Sequence, residues 1–186
     1  MAKLKLNLAL ATTARLKLRL FEDGDAIVIS ELMTPDVSRW LSSWPANITK
    51  QETLIKISKY RNDTMDKRGL TVAIIRLEDN CVIGSLSVGV KPDNTKVGVI
   101  GYWIGEQFQG KGYLGEIINC FVNDAFKYLG IKTLEAGAQL ENHASFAMMR
   151  KMGMAPIGKK SLYVPSRDRD EEVLYYALSR PNESDK

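Results

Sequence analysis

A chain of 186 residues with a net charge of +4 has room for one domain and for a core that folds without disulfides or metal. Its 45% hydrophobic and 26% charged residues are ordinary globular composition, and no apolar run approaches the ~18 residues that a membrane helix needs. Two cysteines, Cys81 and Cys120, and one histidine, His143, argue against a disulfide framework and a histidine-based metal site, and the charge is too modest for a dedicated nucleic-acid binder.

The first segment, Met1 to Ala14, alternates Leu4, Leu6, Leu8 and Leu10 with other residues, and Lys5 and Asn7 interrupt it. Period 2 predicts a strand rather than a secretory leader, so a cytoplasmic protein with reduced thiols is expected. Leu16 to Leu20 alternates likewise. Asp23 or Asp25 is placed to cap a short helix that ends before Pro35, and Trp40, Leu41 and Trp44 form an apolar cluster before Pro45. Thr49 to Glu52 is a capping-box pattern opening a helix that carries Leu54, Ile55 and Ile57 and ends by Gly69. Two β-rich runs, Leu70 to Leu77 and Cys81 to Val90, flank the turn Glu78 to Asn80 and predict a hairpin. After Pro92 to Asn94, a third strand over Lys96 to Ile104 completes an antiparallel meander. Cys81 and Cys120 lie in apolar runs and are expected in the core.

A glycine-rich stretch, Gly105 to Gly115, comes next. Leu114, Ile117, Ile118, Phe121, Val122 and Ala125 then give a helical stripe that Gly130 ends. Ile131 to Ala138 reads as a strand. Asn142 is a good N-cap for a helix bearing Phe146, Ala147, Met149 and Met152, closed by Gly153. Met154 to Ile157 and Val173 to Leu178 predict two last strands, with a charged loop from Arg167 to Glu172 between them and a frayed tail over 181–186. The whole is expected to be one α+β domain over residues 1–180.

The glycine stretch fits three anion-binding patterns, all of which aim backbone N–H groups and a helix N-terminus at a phosphate. Gly105, Gly110 and Lys111 fit a Walker A loop, but Gly112 stands where Ser or Thr must hold Mg²⁺. Gly110, Gly112 and Gly115 fit a dinucleotide fingerprint, with Glu135 twenty residues on, but a meander precedes them instead of βαβ units. Gln107, Gly110 and Gly112 fit Q-x-x-G-x-G, a pyrophosphate loop for coenzyme A.

With that third pattern the chain resembles the GNAT acetyltransferases, in particular the RimJ/RimL type that acetylates protein N-termini. The likeness runs from Thr13 to Arg19, through Ile83-Gly-Ser85 and Ile100-Gly-Tyr-Trp103, to Gln109-Gly-Lys-Gly-Tyr113 with Glu116. It continues at Leu134-Glu-Ala136, Asn142-His-Ala-Ser145 and Lys151-Met-Gly153. The resemblance implies a mixed, mostly antiparallel sheet splayed at its middle, with helices on both faces. It also implies acetyl-CoA as co-substrate, no metal, and an amine acceptor: a protein N-terminus, or else a polyamine or antibiotic. A module that holds acetyl-CoA without transfer is a further alternative. Nucleic-acid and membrane partners are not implied, and either a monomer or a homodimer is compatible.

By the same resemblance, backbone groups of Trp103 and Ile104 would pair with the pantetheine arm. The N–H groups of Gln109, Gly110, Gly112 and Tyr113 would hold the diphosphate, with Lys111 adding charge and Leu114 beginning the helix. Asn142 would bond the pantetheine arm, and Ser145 would give a proton to the departing sulfur. Many relatives carry a Glu before Gly-Tyr-Trp, where this chain has Val99 and Ile100. Glu135 remains as a base acting through water. The demand on a base depends on the acceptor: an α-amine with a pKa of about 8 is neutral roughly one time in ten at pH 7, a lysine amine roughly once in 2,500.

Overall fold

The computed structural model describes residues 8–165 and 167–180. The strands are β1 (Leu16–Arg19), β2 (Gly69–Arg76), β3 (Val82–Lys91), β4 (Asn94–Ile104), β5 (Thr133–Gln139), β6 (Ala155–Val164) and β7 (Arg169–Ser179). The helices are α1 (Asp25–Leu32), α2 (Pro35–Ser38), α3 (Lys50–Met65), α4 (Tyr113–Leu129) and α5 (His143–Lys151). The seven strands form one mixed sheet in the order β1-β2-β3-β4-β5-β7-β6.

Helices cover both faces of this sheet, which explains why β2 reads as an unbroken apolar run instead of alternating. Leu70, Val72 and Ile74 face α4, in a core with Ile117, Ile118 and Phe121. Ala73 and Ile75 face the other way, in a core with Ile29, Ile57, Trp44 and Trp103. The α4 stripe packs as its periodicity predicts, and Gly130 ends the helix in the left-handed conformation, φ 65°, its N–H donating to the Phe126 carbonyl. At α3 the capping box is complete: Thr49 Oγ1 accepts from the Glu52 N–H, and the Glu52 carboxylate accepts from the Thr49 N–H at 2.8 Å. The Thr49 hydroxyl and N–H hold Glu52 below the usual carboxylate range.

All neighbouring strands are antiparallel except β4 and β5, which α4 joins by a crossover. These two pair over only Val97↔Thr133, Gly98↔Leu134 and Val99↔Glu135. Beyond that point they part, so Ile100 to Ile104 and Ala136 to Gln139 face a gap where a ladder would be. The splayed sheet that the resemblance implies is thereby present.

Several expectations are corrected. Of the N-terminal strand, residues 1–7 lie outside the described residues; Leu8 and Leu10 are in no strand and pack against the α4-side core. Neither Asp23 nor Asp25 caps α1. Asp25 is its first residue, and its buried carboxylate accepts from both Arg19 terminal nitrogens at 2.6 and 2.8 Å and from the Glu22 N–H. A buried carboxylate with a guanidinium in reach takes the charge-assisted pair over the cap.

Of the strand expected over Met154 to Ile157, the residues from Ala155 on begin a much longer hairpin strand, and Arg169 to Glu172, expected as loop, belongs to β7. This hairpin is exposed along β6 and cross-linked by charge, as at Lys159–Glu172, so hydrophobic alternation does not announce it. Cys81 and Cys120 are exposed, not core: Cys81 follows the hairpin turn, and Cys120 lies on the outer side of α4 beside buried Phe121. The tail over 181–186 is outside the described residues. No helix among the described residues is long and apolar enough to cross a membrane.

Candidate active site

A cavity of about 780 Å³ runs through the gap between β4 and β5. One end lies on the α4 side of the sheet, among Gly110, Gly112, Tyr113, Asn142 and Ser145. The other lies on the α3 side, among Trp40, Ser43, Trp44, Tyr60, Thr71 and Ser87.

The loop at the first end is built by hydrogen bonds that leave other donors free. The Gly105 N–H continues the sheet to the Ile83 carbonyl, and a short 3-10 turn over Glu106–Phe108 follows. The Gln109 N–H donates to the Glu106 carbonyl at 3.1 Å, and its side-chain amide donates to the Ile104 carbonyl at 3.0 Å. Gln109 therefore clamps the loop to the strand end, and its N–H is not available to an anion as expected.

Gly110 and Gly112 then adopt left-handed φ values of 73° and 76°, and α4 begins at Tyr113. Such backbone is open to glycine at little cost. The first helical acceptor, the Gly112 carbonyl, takes the Glu116 N–H. Among the described residues, the N–H groups of Gly110, Lys111, Gly112, Tyr113, Leu114 and Gly115 have no protein acceptor. Six unpaired donors at the positive end of a 17-residue helix are an arrangement suited to an anion.

Glu116 in the first turn is itself tied down: Thr13 Oγ1 donates to it at 2.6 Å and Arg15 Nε at 2.7 Å. Those bonds, Thr13 foremost, hold its carboxyl below the usual range.

Ser145, in the first turn of α5, has its N–H bound to Asn142 Oδ1 at 3.1 Å, so Asn142 is the N-cap. Across the gap, Tyr102 Oη lies 2.8 Å from Ser145 Oγ and donates to the Ser145 carbonyl at 3.2 Å. Burial pushes the Tyr102 phenol up to about 12. Tyr102 was legible only as part of Ile100-Gly-Tyr-Trp103; period 2 along β4, with Ile100 and Ile104 in the α4-side core, is the signal that places it on that face.

Trp103 and Ile104 are buried in the cavity wall, with β3 on one side and the gap on the other. Trp44 is buried against Trp103 and Tyr60, ring centroids 6.0 and 6.1 Å away, and is both core and cavity wall.

Glu135 is not brought to the cavity. It sits at the last position of β5 paired with β4, where its carboxylate accepts from Lys91 Nζ at 2.7 Å. Glu106, Glu141 and His143 are exposed and also stay outside the lining. Among the described residues, the only side chains lining the cavity that can ionise are the phenols Tyr60, Tyr102, Tyr113 and Tyr175; no described Asp, Glu, His, Lys or Arg lines it. A glycine loop that follows an antiparallel strand through a 3-10 turn, with Glu135 ion-paired, does not fit a dinucleotide fold or a Walker A site.

Residues 15–155 match the family described as acetyltransferase (GNAT) domain. A Bacillus subtilis protein provisionally named ribosomal N-acetyltransferase YdaF is 28% identical over 170 residues, covering 87% of this chain and 89% of its own. Among solved structures, RimL, the ribosomal L7/L12 α-N-protein acetyltransferase in complex with coenzyme A, superposes with a TM-score of 0.77 at 19% identity, covering 91% of this chain and 97% of that one. The microcin C7 self-immunity acetyltransferase MccE, in complex with acetyl-CoA and AMP, gives 0.78 at 18%, covering 90% and 94%. At these identities the structural likeness speaks for the fold.

Proposed function

Given that the chain belongs to the GNAT acetyltransferase family and is an N-acetyltransferase, we propose that its acceptor is the α-amine of a protein N-terminus and its donor acetyl-CoA. The observation that carries the choice of acceptor is the lining without carboxylates or cations. A polyamine brings several ammonium groups, which need carboxylates to replace their water. A single amine that sheds its proton readily needs none. An α-amine does so near pH 8, two units below a lysine amine.

The residues present fit the donor. The six unpaired N–H groups from Gly110 to Gly115 suit a diphosphate, and the open edge of β4 at Trp103 and Ile104 suits the pantetheine arm as an added strand. Asn142, whose Oδ1 is engaged by Ser145, has its amide hydrogens left for that arm. When bound, acetyl-CoA supplies a thioester carbonyl open to attack by an amine. Ser145 then directs its Oγ proton to the departing sulfur, and the Tyr102 hydroxyl, 2.8 Å from Ser145 Oγ, is placed to pass a proton back to it from solvent. Glu135 and Lys91 hold the point where β4 and β5 part, and the proton lost by the amine leaves through water, with Glu135 at most a distant relay. The exposed free thiols Cys81 and Cys120 suit a reducing, cytoplasmic setting.

An acceptor screen that follows thiol release tests this reading. Peptides with free N-termini should turn over, and the same peptides blocked at the N-terminus but carrying an internal lysine should not. With an N-terminal acceptor kcat/KM should rise about tenfold per pH unit from pH 6 and level off near pH 8, following the neutral amine, because no described carboxylate or imidazole lines the cavity. Preference for spermidine, or acetyl-CoA binding without turnover on any amine, overturns it.

Ser145→Ala should slow turnover about 100-fold while leaving acetyl-CoA affinity within about twofold. Wild-type turnover in that variant removes Ser145 from the proton path.

A further inference from the structure

Four cations surround the start of α4, and three of them are occupied. Arg15 is paired with Glu116 at 2.6 Å and donates to the Lys111 carbonyl. Arg76 is paired with Asp79. Lys111 holds its ammonium over the Phe108 ring, 5.9 Å from the centroid. The fourth, Lys151, comes from the last turn of α5 and reaches over to α4 at Gly115. A Cβ at Gly115 would lie 2.6 Å from Lys151 Nζ and 3.5 Å from its Cε. The absence of a side chain at 115 is what admits the ammonium. Among the described residues no carboxylate lies within ion-pair range of Lys151.

An ammonium packed against the N-terminal turn of a helix, beside six unpaired N–H groups, meets positive potential from α4. No carboxylate among the described residues pairs with it, and an anion at the loop would. We propose that Lys151 is a coenzyme-binding residue, its ammonium closing on the diphosphate held by the Gly110–Gly115 amides, and that Gly115 serves to let it in. This rests on acetyl-CoA as the donor. A lysine in the last turn of α5 also favours that helix's negative end, but Gly115 has no part in that role.

The test is calorimetric binding of coenzyme A and of dephospho-coenzyme A, which keeps the diphosphate and lacks the 3′-phosphate. Binding of both by the wild-type chain checks the donor assignment separately; the variants check Lys151. Lys151→Gln should weaken both ligands about tenfold, a charge-assisted bond partly screened at the surface, and Lys151→Arg should restore most of it. Gly115→Ala should weaken binding similarly with little change in Tm, since its new methyl displaces only a flexible side-chain end. The double variant should bind no worse than Lys151→Gln alone. Unchanged affinity in Lys151→Gln, a loss confined to coenzyme A, or full additivity of the two substitutions each overturns the proposal.

Discussion

Gly112→Asp is expected to weaken acetyl-CoA binding at least 100-fold while the protein stays folded. Gly112 stands between the loop and α4 at φ 76°, and the nearest atom to a Cβ built there is Arg15 Nη2 at 3.8 Å. The new side chain therefore has room. Aspartate is also among the residues that tolerate left-handed backbone best, so the conformational cost is about 1 kcal/mol. What changes is the charge. The carboxylate would sit among the unpaired N–H groups, accept from them, and draw Arg15 away from Glu116. An incoming diphosphate would then find its donors taken and a like charge in its place. Gly112→Ala carries the same backbone cost without the anion and should lose far less. Calorimetry with acetyl-CoA, alongside thermal melts of both variants, separates the two effects. Equal affinities for Gly112→Asp and wild type would mean that the diphosphate lies elsewhere.

How far this site was legible in the sequence follows from which residues carry local signals. Glycines at 110 and 112 announce left-handed backbone, and the stripe from Leu114 to Ala125 announces the helix that follows, so the loop and the helix start could be placed before any fold was known. Thr49 with Glu52, and Asn142 before Ser145, announce their caps for the same reason: the partners lie three residues apart. The other outcomes depend on contacts that only the folded chain makes. Asp25 looked like a cap because Arg19 was not yet known to lie beside it. Glu135 was expected as a base acting through water on the resemblance alone, and its pairing with Lys91, forty-four residues earlier in the chain, had no local signal. Gln109 looked like an N–H donor until the 3-10 turn committed that N–H to Glu106. Tyr102 gave no sign of meeting Ser145, because that contact exists only once β4 and β5 have parted. The hairpin of β6 and β7 escaped for another reason: an exposed strand held by cross-strand pairing and charge leaves no apolar period to read.

Gly84→Ala should be the most damaging single methyl in the sheet. Position 84 pairs with Ile104 at the end of β4 where the cleft opens. A Cβ there would lie 2.3 Å from the Trp103 carbonyl oxygen and 3.0 Å from the Ile104 Cα. Both are main-chain atoms with no rotamer to escape into, unlike the lysine tip facing Gly115, so β3 and β4 must move apart. Overpacking of this kind costs about 3 kcal/mol, or roughly 6–12 °C in Tm for a domain of this size. The displacement falls on the carbonyl that leads into Gly105, whose N–H is held by Ile83, and on the β4 edge proposed to pair with the pantetheine arm. Acetyl-CoA affinity should therefore fall in the molecules that remain folded. Gly89→Ala is the control: it lies in the same strand, with nothing within 4 Å of the added methyl, and should melt within about 2 °C of wild type. Melts of the two variants and acetyl-CoA titrations below the transition decide the matter. If Gly84→Ala melts and binds like Gly89→Ala, the close approach of β3 to β4 does not shape the mouth of the cleft.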